Sequence, residues 1–532
     1  MGESAGFSGH LVLKYNDELV DYGVKDGVVW LTFRGKTDVP MEFATASSFT
    51  NKANALNNLI VETDSLQMSF YDMMQRCQDE WLKRLHTIDV VDSDTAKVNQ
   101  FYGAMYRASF LPREMSDCNG DYPEFSTGIT KHIDSSLLSL HSSLKKYGDF
   151  SMWDIYRAQL PLYNIVVPTL SGRMMQSLVD MYQEGGWLPI FPCWNSYTAA
   201  MIGDHCSVAL ADAYVKGVRN FDADKAYEAM RKNAFETPKS FAEYKNGMGR
   251  RALESYLKYA YIPLEDSVKE AFHTCEQTSR TLEYAFDDFA VAQMAKMLGQ
   301  DDDYNKLMAR SHNWKNVINP KTGWADGQYA NGKWLGCKDL VSRQSFITEG
   351  SICHYSWYVP HDIDALVERM GGKAEFERRL DMMFALKDSS SAARLLYWHG
   401  NEPCHQIPFL YSYIGKPEKT KRVVDDILKT EYNDTPGGLS GNDDAGQMSA
   451  WYMFAAMGFY PVCPSTPYYI IGSPSFDRVT FNLENKKQFE IIRKKSINNS
   501  NFVRLILNGK QLDNCQLSHG DIINGGKLIV EE

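Results

Sequence analysis

The spacing of apolar residues divides the chain into three zones. In residues 1–75 apolar and polar positions alternate between Gly and Asp turns, which predicts short strands such as His10–Tyr15 and Val28–Phe33. In residues 76–465 apolar positions recur with the period of a helix. Alternation returns in residues 466–532. The pattern therefore predicts a β-rich start, a large helical domain and a small C-terminal β region.

The helical zone is long enough for roughly a dozen helices, joined by alternating short and long loops. This number favours a double ring of helices, an α/α toroid, in which the long loops on one face surround a central pocket. No fixed period appears in the zone, which disfavours a solenoid of repeats. The clearest predicted helices are Tyr71–Leu85, Ala96–Ser109, Gly172–Gly185, His205–Gly217, Glu265–Leu298, Asp302–Val317, Ile363–Gly371 and Glu418–Leu428.

The C-terminal zone reads as a succession of short strands. Asn508-Gly509 predicts a hairpin turn between two of them, because both residues tolerate a positive φ. The predicted strands are Tyr468–Ile471, Arg478–Asn482, Phe489–Ile492, Val503–Asn508 and Lys527–Glu531.

Bulk composition narrows the class of protein. At 532 residues the chain is too long for one simple core. A net charge of −11 argues against nucleic acid or an anionic membrane surface as partner. The chain contains no run of about 18 apolar residues, so no membrane span is predicted. Aromatic residues make up 13%, which suits stacking against sugar rings and suits a large helical core equally well.

The cysteines and the N-terminus add two expectations. The ten cysteines are scattered without a CxxC pair, so free buried thiols are expected rather than a zinc ribbon or a disulfide framework. The first six residues, Met-Gly-Glu-Ser-Ala-Gly, lack the charged and apolar regions of a signal peptide. The few strands of the first zone would not stand alone as a sheet, so we expect the chain to start inside a domain.

A Gly-rich loop carries two adjacent carboxylates, Asp443 and Asp444, directly before a predicted helix that ends near Gly458 and Pro461. We expect the helix to be buried along one side and to hold both acids at its N-terminus, a mounting suited to general acid–base chemistry. The simpler interpretation is that the acids only cap the helix and favour its dipole. The apolar face comprises Met448, Trp451, Tyr452, Ala455 and Ala456.

Glu349 is a candidate proton donor. It precedes Gly350 at the start of an aromatic helical turn that includes Tyr355 and Trp357. A poorly solvated aromatic setting would raise the pKa of its carboxyl, as a general acid requires. The alternative is a structural role as a helix-capping glutamate.

Two histidines, an asparagine and a glutamate surround a Gly/Pro turn at residues 398–405. His399, Asn401 and Glu402 are therefore candidates for a metal site or for binding sugar hydroxyls. The spacing of His399 and His405 is not that of HExxH, which disfavours a zinc protease. Either histidine taken alone is better explained as a hydrogen-bonded structural residue.

Trp153, Asp154 and Arg157 form a third candidate group. Asp154 and Arg157 are spaced i, i+3 and could pair on one helix face at a pocket. The alternative is an exposed ion pair of little energetic value. Leu282–Phe289 has a similar mixture of acids and aromatics, which we interpret as mainly structural.

The candidate residues together indicate a reaction class. They are carboxylates accompanied by Trp, Tyr, Asn and His, whereas the GxGxxG and Walker loops of nucleotide-binding proteins do not occur. Paired carboxylates beside aromatic residues are typical of glycoside hydrolysis.

At these residues the chain resembles family 92 of the glycoside hydrolases, the calcium-dependent exo-acting α-mannosidases. The resemblance extends from about residue 10 to the C-terminus, and its motifs occur in the family's order. The segments that carry it are GDFSMWDIYRA, MIGDHCSVALADAYVKG, RTLEYAFDDFA, ITEG followed by YSWYVPHD, HGNEP and GNDDAGQMSAWY.

The resemblance implies a mainly α fold. It assigns residues 76–465 to an (α/α)6 toroid catalytic domain, residues 1–75 to an incomplete N-terminal β-sandwich portion with a linker, and residues 466–532 to a small C-terminal β region. It also implies inverting removal of terminal non-reducing α-linked mannose from oligosaccharides or glycoprotein glycans. The family is mostly secreted or periplasmic, so the missing signal peptide is attributed to an incomplete N-terminus.

The resemblance also implies catalytic roles. Glu349 resembles the general acid that protonates the glycosidic oxygen. Asp444 resembles the general base that activates water on the opposite face of the sugar, with Asp443 or Asn442 in support. In an inverting enzyme the two carboxyls lie roughly 6.5–9.5 Å apart, to leave room for that water.

Substrate and metal residues are implied in the same way. Glu402 resembles the residue that contacts the leaving sugar, and Asp154 resembles one that grips the mannose. Ca²⁺ is expected to contact the mannose O2 and O3, with Asn401 and Asp444 as its ligands. The other residues expected to bind substrate are Trp153, Arg157, His399 and Asn442.

Some features depart from the family pattern. The N-terminal sandwich is shorter than the family's, and Gly-Ser-Ile-Cys-His follows Glu349 where the family commonly has Gly-Asn-Ala-Trp-Gln. Asn401 stands where α-1,2-specific members often carry His, which leaves the linkage open. Two alternatives remain: a non-catalytic carbohydrate-binding remnant, and an (α/α)6 hydrolase of another α-glycoside.

Overall fold

The chain folds into two compact units. The computed structural model describes residues 7–35, 40–133, 145–385, 396–494 and 504–532. The larger unit, called the helical unit below, includes Leu85–Arg113 and Gly148–Glu532, and the N-terminal unit comprises Ala5–Arg84 and Glu114–Tyr147. The C-terminal strands thus lie in the same unit as most helices. The predicted domain limits at residues 75 and 465 stay a prediction, because a division into compact units does not show which segments fold independently.

The N-terminal unit contains short antiparallel strand pairs and two helices. His10–Tyr15 pairs with Phe43–Ser48, and Glu18–Lys25 pairs with Val28–Arg34, so both strands predicted in this zone are confirmed. Asp117 is buried and accepts hydrogen bonds from Ser48, Thr50 and Asn58. The other elements are helix Lys52–Glu62, helix Phe70–Leu85 up to Arg84, and strands Asp121–Pro123 and Thr130–His132.

The helical unit is built around buried helices. Every residue from Gln277 to Asp288 is buried in the 21-residue helix Gln277–Met297. Its other α-helices are Thr95–Arg107, Met152–Ile155, Gln159–Val166, Pro168–Gly185, His205–Val215, Ala223–Phe235, Phe241–Lys245, Leu253–Tyr259, Asp301–Arg310, Ile352–Tyr355, Ile363–Arg369, Lys373–Ala385, Leu410–Tyr413, Pro417–Thr430, Gln447–Met457 and His519–Ile523. The 3₁₀ segments among the described residues of this unit are Ser311–Asn316, Glu402–Cys404, Ile407–Phe409 and Asp444–Gly446.

Three predicted helices have clearly different limits in the structure, and one of them, predicted from Gly172, already begins at Pro168. The helix predicted from Glu265 begins only at Gln277, because Glu276 adopts left-handed backbone angles that an α-helix does not accommodate. The helix predicted to reach Val317 ends at Arg310 and continues as a 3₁₀ turn. Apolar periodicity continues through both breaks, so the sequence pattern could not reveal them.

The C-terminal strands form two sheets. Among the described residues, Phe459–Tyr460, Tyr468–Ile471 and Gln516–Ser518 form a three-stranded sheet. A six-stranded mixed sheet has the order Lys510–Gln511, Arg504–Leu507, Gly526–Glu531, Gln488–Lys494, Arg478–Asn482 and Ile88–Val91.

Two details of the larger sheet bear on the sequence interpretation. Asn508 and Gly509 have φ of 49° and 84° between antiparallel strands, so the predicted hairpin turn is confirmed. The edge strand Ile88–Val91 comes from the zone predicted to be helical, and it pairs with Arg478–Asn482. The sequence could not predict this long-range pairing from local pattern.

Candidate active site

Three carboxylates converge in the helical unit. Asp154, Glu402 and Asp444 each offer an oxygen atom within 4.8 Å of the others. Asp154 and Glu402 are buried, while Asp444 is half-buried. They come from three separate segments, each a candidate from the sequence. The fold therefore brings three of the sequence candidates into one cluster.

Burial and mutual repulsion shift the protonation of this cluster. Burial, followed by the charge of Asp444, raises the pKa of Asp154 to about 8. Burial and the charges of Asp154 and Asp444 raise the pKa of Glu402 well above its usual range. Three like charges this close cannot all stay ionised unless a cation compensates them. The cluster is therefore suited to hold protons or a cation.

The two adjacent aspartates of the Gly-rich loop face different partners. Asp443 Oδ1 accepts hydrogen bonds from the Ser449 backbone N–H at 3.0 Å and from its hydroxyl at 2.7 Å, so Asp443 caps the following helix. Burial raises the pKa of Asp443. Asp444 has a φ of 44° and joins the carboxylate cluster. The capping interpretation thus fits Asp443 but not Asp444, and Asn442 lies exposed beside them.

The helix behind this loop differs from its prediction. Every residue of Gln447–Met457 is buried, so the expectation of a helix buried along one side is wrong. The residues opposite the predicted face, such as Ala450, Met453 and Met457, are also apolar, and the helix is packed on all sides. Its C-terminal cap at Gly458, with a φ of 92°, is as predicted.

Glu349 is an exposed residue between buried neighbours, Thr348 and Gly350. Its side chain is exposed, so the predicted poorly solvated aromatic setting is wrong. Its φ of 50° is left-handed, which is costly for a residue with a side chain. Asn401 Nδ2 donates to the Glu349 carbonyl at 3.4 Å. The charge of Glu349 also contributes to the raised pKa of Asp154, which places it within electrostatic reach of the cluster.

The capping alternative for Glu349 does not hold either. The helix Ile352–Tyr355 is capped by Ser351, whose side chain accepts the His354 N–H in a capping box. Glu349 has no part in that motif. Its strained, exposed position is therefore not explained by the helix that follows it.

Trp153 and Arg157 are buried beside Asp154. Asp154 accepts a hydrogen bond from the Ser151 hydroxyl at 2.5 Å, and Arg157 Nε donates to the Trp153 carbonyl at 2.9 Å. Among the described residues no ion pair joins Asp154 to Arg157, because the helix Met152–Ile155 ends before Arg157. Both the predicted helix-face pair and its exposed alternative are therefore wrong. Arg157 instead contacts aromatic rings, with its guanidinium carbon 5.0 Å, 4.7 Å and 5.1 Å from the ring centroids of Trp153, Tyr156 and Tyr358.

Trp153 contacts a buried network of charged residues that comprises Glu283, His205 and Asp287. Glu283 accepts hydrogen bonds from Trp153 Nε1 at 2.9 Å and from the Tyr355 hydroxyl at 3.0 Å. His205 lies between Glu283 and Asp287, at 3.4 Å and 2.9 Å. Burial lowers the pKa of His205, but the charges of Asp287 and Glu283 outweigh it and raise the pKa to about 9. The imidazolium held there was not among the predicted site residues, although its motif was part of the resemblance.

His399 is enclosed by hydrogen bonds. Its Nδ1 lies 2.9 Å from the Tyr397 hydroxyl and its Nε2 lies 2.6 Å from the Tyr432 hydroxyl. Burial, followed by the charge of His405, lowers the pKa of His399 well below its usual range, so the ring is neutral. With both ring nitrogens engaged and the side chain buried, the geometry matches the structural alternative for this histidine.

The residues of the cluster fit a calcium ion. Calcium prefers oxygen ligands, above all carboxylates and carbonyls. Glu402 Oε1 is buried and has no hydrogen-bond partner in the described structure, and Asn401 is buried next to it. An oxygen atom buried without a partner is costly unless a proton donor or a cation satisfies it. The donor set and this unsatisfied oxygen are both what a cation site requires.

The helical architecture and the carboxylate cluster together are those of a glycoside hydrolase. The chain belongs to glycosyl hydrolase family 92, whose catalytic domain matches residues 54–531.

Three relatives of known sequence or structure are similar to the chain. An uncharacterized secreted glycosidase from Arthroderma benhamiae is 27% identical over 94% of this chain, which spans 62% of that protein's length. A family GH92 alpha-mannosidase from Bacteroides thetaiotaomicron is 31% identical, with a TM-score of 0.83 over 98% of this chain and 69% of its own. A family GH92 inverting mannosidase from the same organism is 28% identical, with a TM-score of 0.86 over 99% and 74%.

These similarities confirm the predicted fold class, a mainly α (α/α)6 toroid with β regions. Among the described helices, none is both long and apolar enough to cross a bilayer.

Proposed function

We propose that the protein is a calcium-dependent, inverting exo-α-mannosidase. It would remove terminal non-reducing α-linked mannose from mannose-rich oligosaccharides or glycoprotein glycans. The observation that carries this proposal is the convergence of Asp154, Glu402 and Asp444 in a chain of family 92. Two similar structures are described as an alpha-mannosidase and an inverting mannosidase, which supports both the substrate and the stereochemistry.

Asp444 acts as the general base in this proposal. It removes a proton from the water that attacks the anomeric carbon. In the absence of calcium, burial and the charges of Asp154 and Asp444 hold the pKa of Glu402 well above its usual range, and a bound cation would take the place of that proton. Asp443 supports the loop by capping the helix behind it.

Glu349 acts as the general acid. It protonates the glycosidic oxygen as the bond to the leaving sugar breaks. Its exposed side chain is accessible to the leaving sugar. In the free enzyme, the same exposure lets Glu349 recover its proton from solvent after each turnover.

Asp154 binds a hydroxyl of the mannose, and Glu402 with Asn401 lies toward the leaving sugar. Calcium, when bound by the carboxylates of Asp154, Glu402 and Asp444 with Asn401 nearby, would supply positive charge to the mannose hydroxyls. Trp153 and His399 act through packing and hydrogen bonds, since Trp153 Nε1 and both ring nitrogens of His399 already have protein partners, whereas Arg157 keeps the substrate-binding role that the family resemblance implies. Asn442 is exposed and free to contact substrate.

Proton NMR of α-1,2-mannobiose tests the proposal directly. We expect early release of β-mannose in calcium and its loss when calcium is chelated. Early α-mannose would contradict inversion, and release that is unaffected by chelation would contradict the calcium requirement. A panel of other linkages and of α-glucosides tests the substrate, because Asn401 leaves the linkage open. Mannose binding without release from a folded protein would instead support a carbohydrate-binding protein.

We also propose that the protein acts outside the cytoplasm. The relative from Arthroderma benhamiae is described as secreted. Fractionation of the producing cells, with antibody detection of the protein, tests this location.

A further inference from the structure

Gln447 is fully buried at the first position of the helix behind the Gly-rich loop. Its Oε1 accepts hydrogen bonds from the backbone N–H groups of Ala158 at 3.0 Å and Gln159 at 3.3 Å. A backbone N–H can only donate, so the amide oxygen must face these two residues. The orientation of the Gln447 side chain is thereby fixed, and its Nε2 faces the opposite way.

The other end of the Gln447 amide contacts a histidine. Its Nε2 lies 3.1 Å from His405 Nδ1, and an amide nitrogen can only donate. Nδ1 of His405 must therefore accept, so the ring carries its proton on Nε2, which donates to the His399 carbonyl at 3.0 Å. The neutral ring that this requires agrees with burial, which together with the charge of Arg157 lowers the pKa of His405 to about 3.

Each end of this connection lies about one helical turn after a carboxylate of the cluster. Ala158 follows Asp154 by four residues, and His405 follows Glu402 by three. Gln447 itself follows Asp444 by three residues. One side chain thus links the three segments on which the three carboxylates are mounted.

Those segments need an external partner to hold their positions. Asp154 lies in a four-residue helix, and Glu402 and Asp444 lie in 3₁₀ turns of three residues each. Elements this short make few internal hydrogen bonds and are marginal alone. Their relative positions must therefore come from contacts between segments, and Gln447 supplies contacts to both of the others.

We propose that Gln447 is a positioning residue that sets the spacing of the Asp154, Glu402 and Asp444 carboxylates through Ala158 and His405. The expected effect of Gln447 on catalysis rests on the proposed function. The effect of Gln447 on the spacing of the carboxylates does not, because that spacing is a property of the protein without substrate. Residues that orient metal ligands typically change metal affinity or activity by about 10–100-fold when mutated.

Substitution of His405 gives the sharper test, because two variants of similar size differ in the one relevant bond. His405→Asn keeps an acceptor near the position of Nδ1, whereas His405→Leu removes it, and both lose the bond to the His399 carbonyl. We expect His405→Leu to weaken calcium binding in calorimetry by about 10–100-fold and to lower kcat with little change in KM. His405→Asn should stay closer to the wild type in both. Equal effects of the two variants would overturn the proposal.

Gln447→Met removes every hydrogen bond of the amide at nearly constant length, and Gln277→Met is its matched control. Gln277 is also buried, and its Nε2 donates to the Leu264 and Asp266 carbonyls at 3.2 Å and 2.6 Å, away from the three carboxylate segments. We expect Gln447→Met to lose calcium affinity and kcat, and Gln277→Met to lose only thermal stability. Wild-type calcium affinity in folded Gln447→Met, or an equal loss in Gln277→Met, would overturn the proposal.

Failure of the proposed function would be recognised separately. A wild-type protein that neither binds calcium nor releases mannose would refute the proposed function alone. Crystal structures of wild type, Gln447→Met and His405→Leu then decide the positioning role. Carboxylate oxygens that stay within 4.8 Å of one another in both variants would refute it, and spread carboxylates would support it.

Discussion

Asp443 and Asp444 are neighbours in sequence whose side chains have different partners. Asp443 bonds to Ser449 inside the following helix, whereas Asp444 joins two carboxylates from distant segments. The turn Asp444–Gly446, which includes left-handed Ala445, separates their directions. Substitutions at the two positions should therefore differ in kind as well as in size.

Asp443→Ala should mainly affect stability. Loss of a helix cap costs about 0.5–2 kcal/mol, so we expect a fall of ~1 kcal/mol in the free energy of unfolding. Asp444→Asn should keep that free energy within ~1 kcal/mol and lower kcat by about 10²–10⁴-fold, because the general base is lost. Urea unfolding and steady-state kinetics of both variants measure this contrast. If Asp443→Ala lowered kcat as much as Asp444→Asn, the division of roles would be wrong.

Glu349→Gln should show a dependence on the leaving group. A good leaving group needs little protonation, so the variant should lose about 10²–10⁴-fold on mannobiose and much less on an activated aryl mannoside. Asp444→Asn serves as the control, since a missing base affects both substrates. Equal losses on both substrates in Glu349→Gln would exclude Glu349 as the proton donor.

The sequence identifies the acids of the carboxylate cluster but not the residues that surround them. Asp154, Glu402 and Asp444 stood out as carboxylates beside Trp and Arg, at a Gly/Pro turn and in a Gly-rich loop, respectively. The burial of Arg157 and the enclosure of His399 depend on rings from remote segments, which no local pattern encodes. Glu349 was placed in an apolar setting because its neighbours in sequence are aromatic, yet those aromatics are buried and Glu349 is exposed.

At the scale of single elements, the helix Gln447–Met457 is the informative case. Its start and end were predicted from Asp, Gly and Pro signals, but its burial on all sides was not. An amphipathic pattern shows which face is apolar, and it does not exclude that the opposite face is buried as well. Two polar side chains of this helix form hydrogen bonds with protein partners outside the helix. Ser449 bonds to Asp443, and Gln447 bonds to His405.

A substitution at Met453 tests whether this helix is buried on one side or on all sides. It lies opposite the predicted apolar face and is fully buried. Met453→Lys should prevent stable folding, because a buried unpaired charge is strongly unfavourable, whereas Met453→Leu should cost less than about 1.5 kcal/mol. Thermal unfolding followed by circular dichroism compares them. A Met453→Lys variant as stable as wild type would show that this face meets solvent.

At the scale of the whole molecule, the carboxylate cluster links stability to pH. The pKa of Asp154 is about 8 in the folded protein, above the value of about 3.9 for an unfolded aspartate. Between these values the folded state binds more protons than the unfolded state, so the contribution of Asp154 to stability is present at low pH and is lost as pH rises toward about 8. Glu402 acts in the same direction.

Asp154→Asn isolates this effect. In chelator, the wild type should lose stability relative to Asp154→Asn as pH rises from about 5 to 8, by at most about 1.4 kcal/mol per pH unit. Calcium should reduce the difference, because a cation replaces the protons. Urea unfolding of both proteins across this pH range provides the measurement. A difference that does not change with pH would contradict a raised pKa for Asp154.

The overall architecture was predictable where local pattern determines it. Strands and helices with clear periodicity, such as Pro417–Thr430 and Arg478–Asn482, appear close to their predicted limits. The long-range pairing of Ile88–Val91 with a C-terminal strand was not predictable, since it depends on how distant segments meet. For the same reason the sequence indicated each of the three acids separately, without showing that their carboxylates lie within 4.8 Å of one another.

The wide separation of the site's segments has a kinetic consequence. Gln447 and Ala158, which contact each other, are 289 residues apart in the chain. Contacts over such distances form late in folding, because the entropy of closing the intervening chain must be overcome first. During refolding from denaturant, far-ultraviolet ellipticity should therefore return before mannose release does. Enzyme activity would then report the last step of chain assembly, and no early intermediate would be able to hydrolyse substrate.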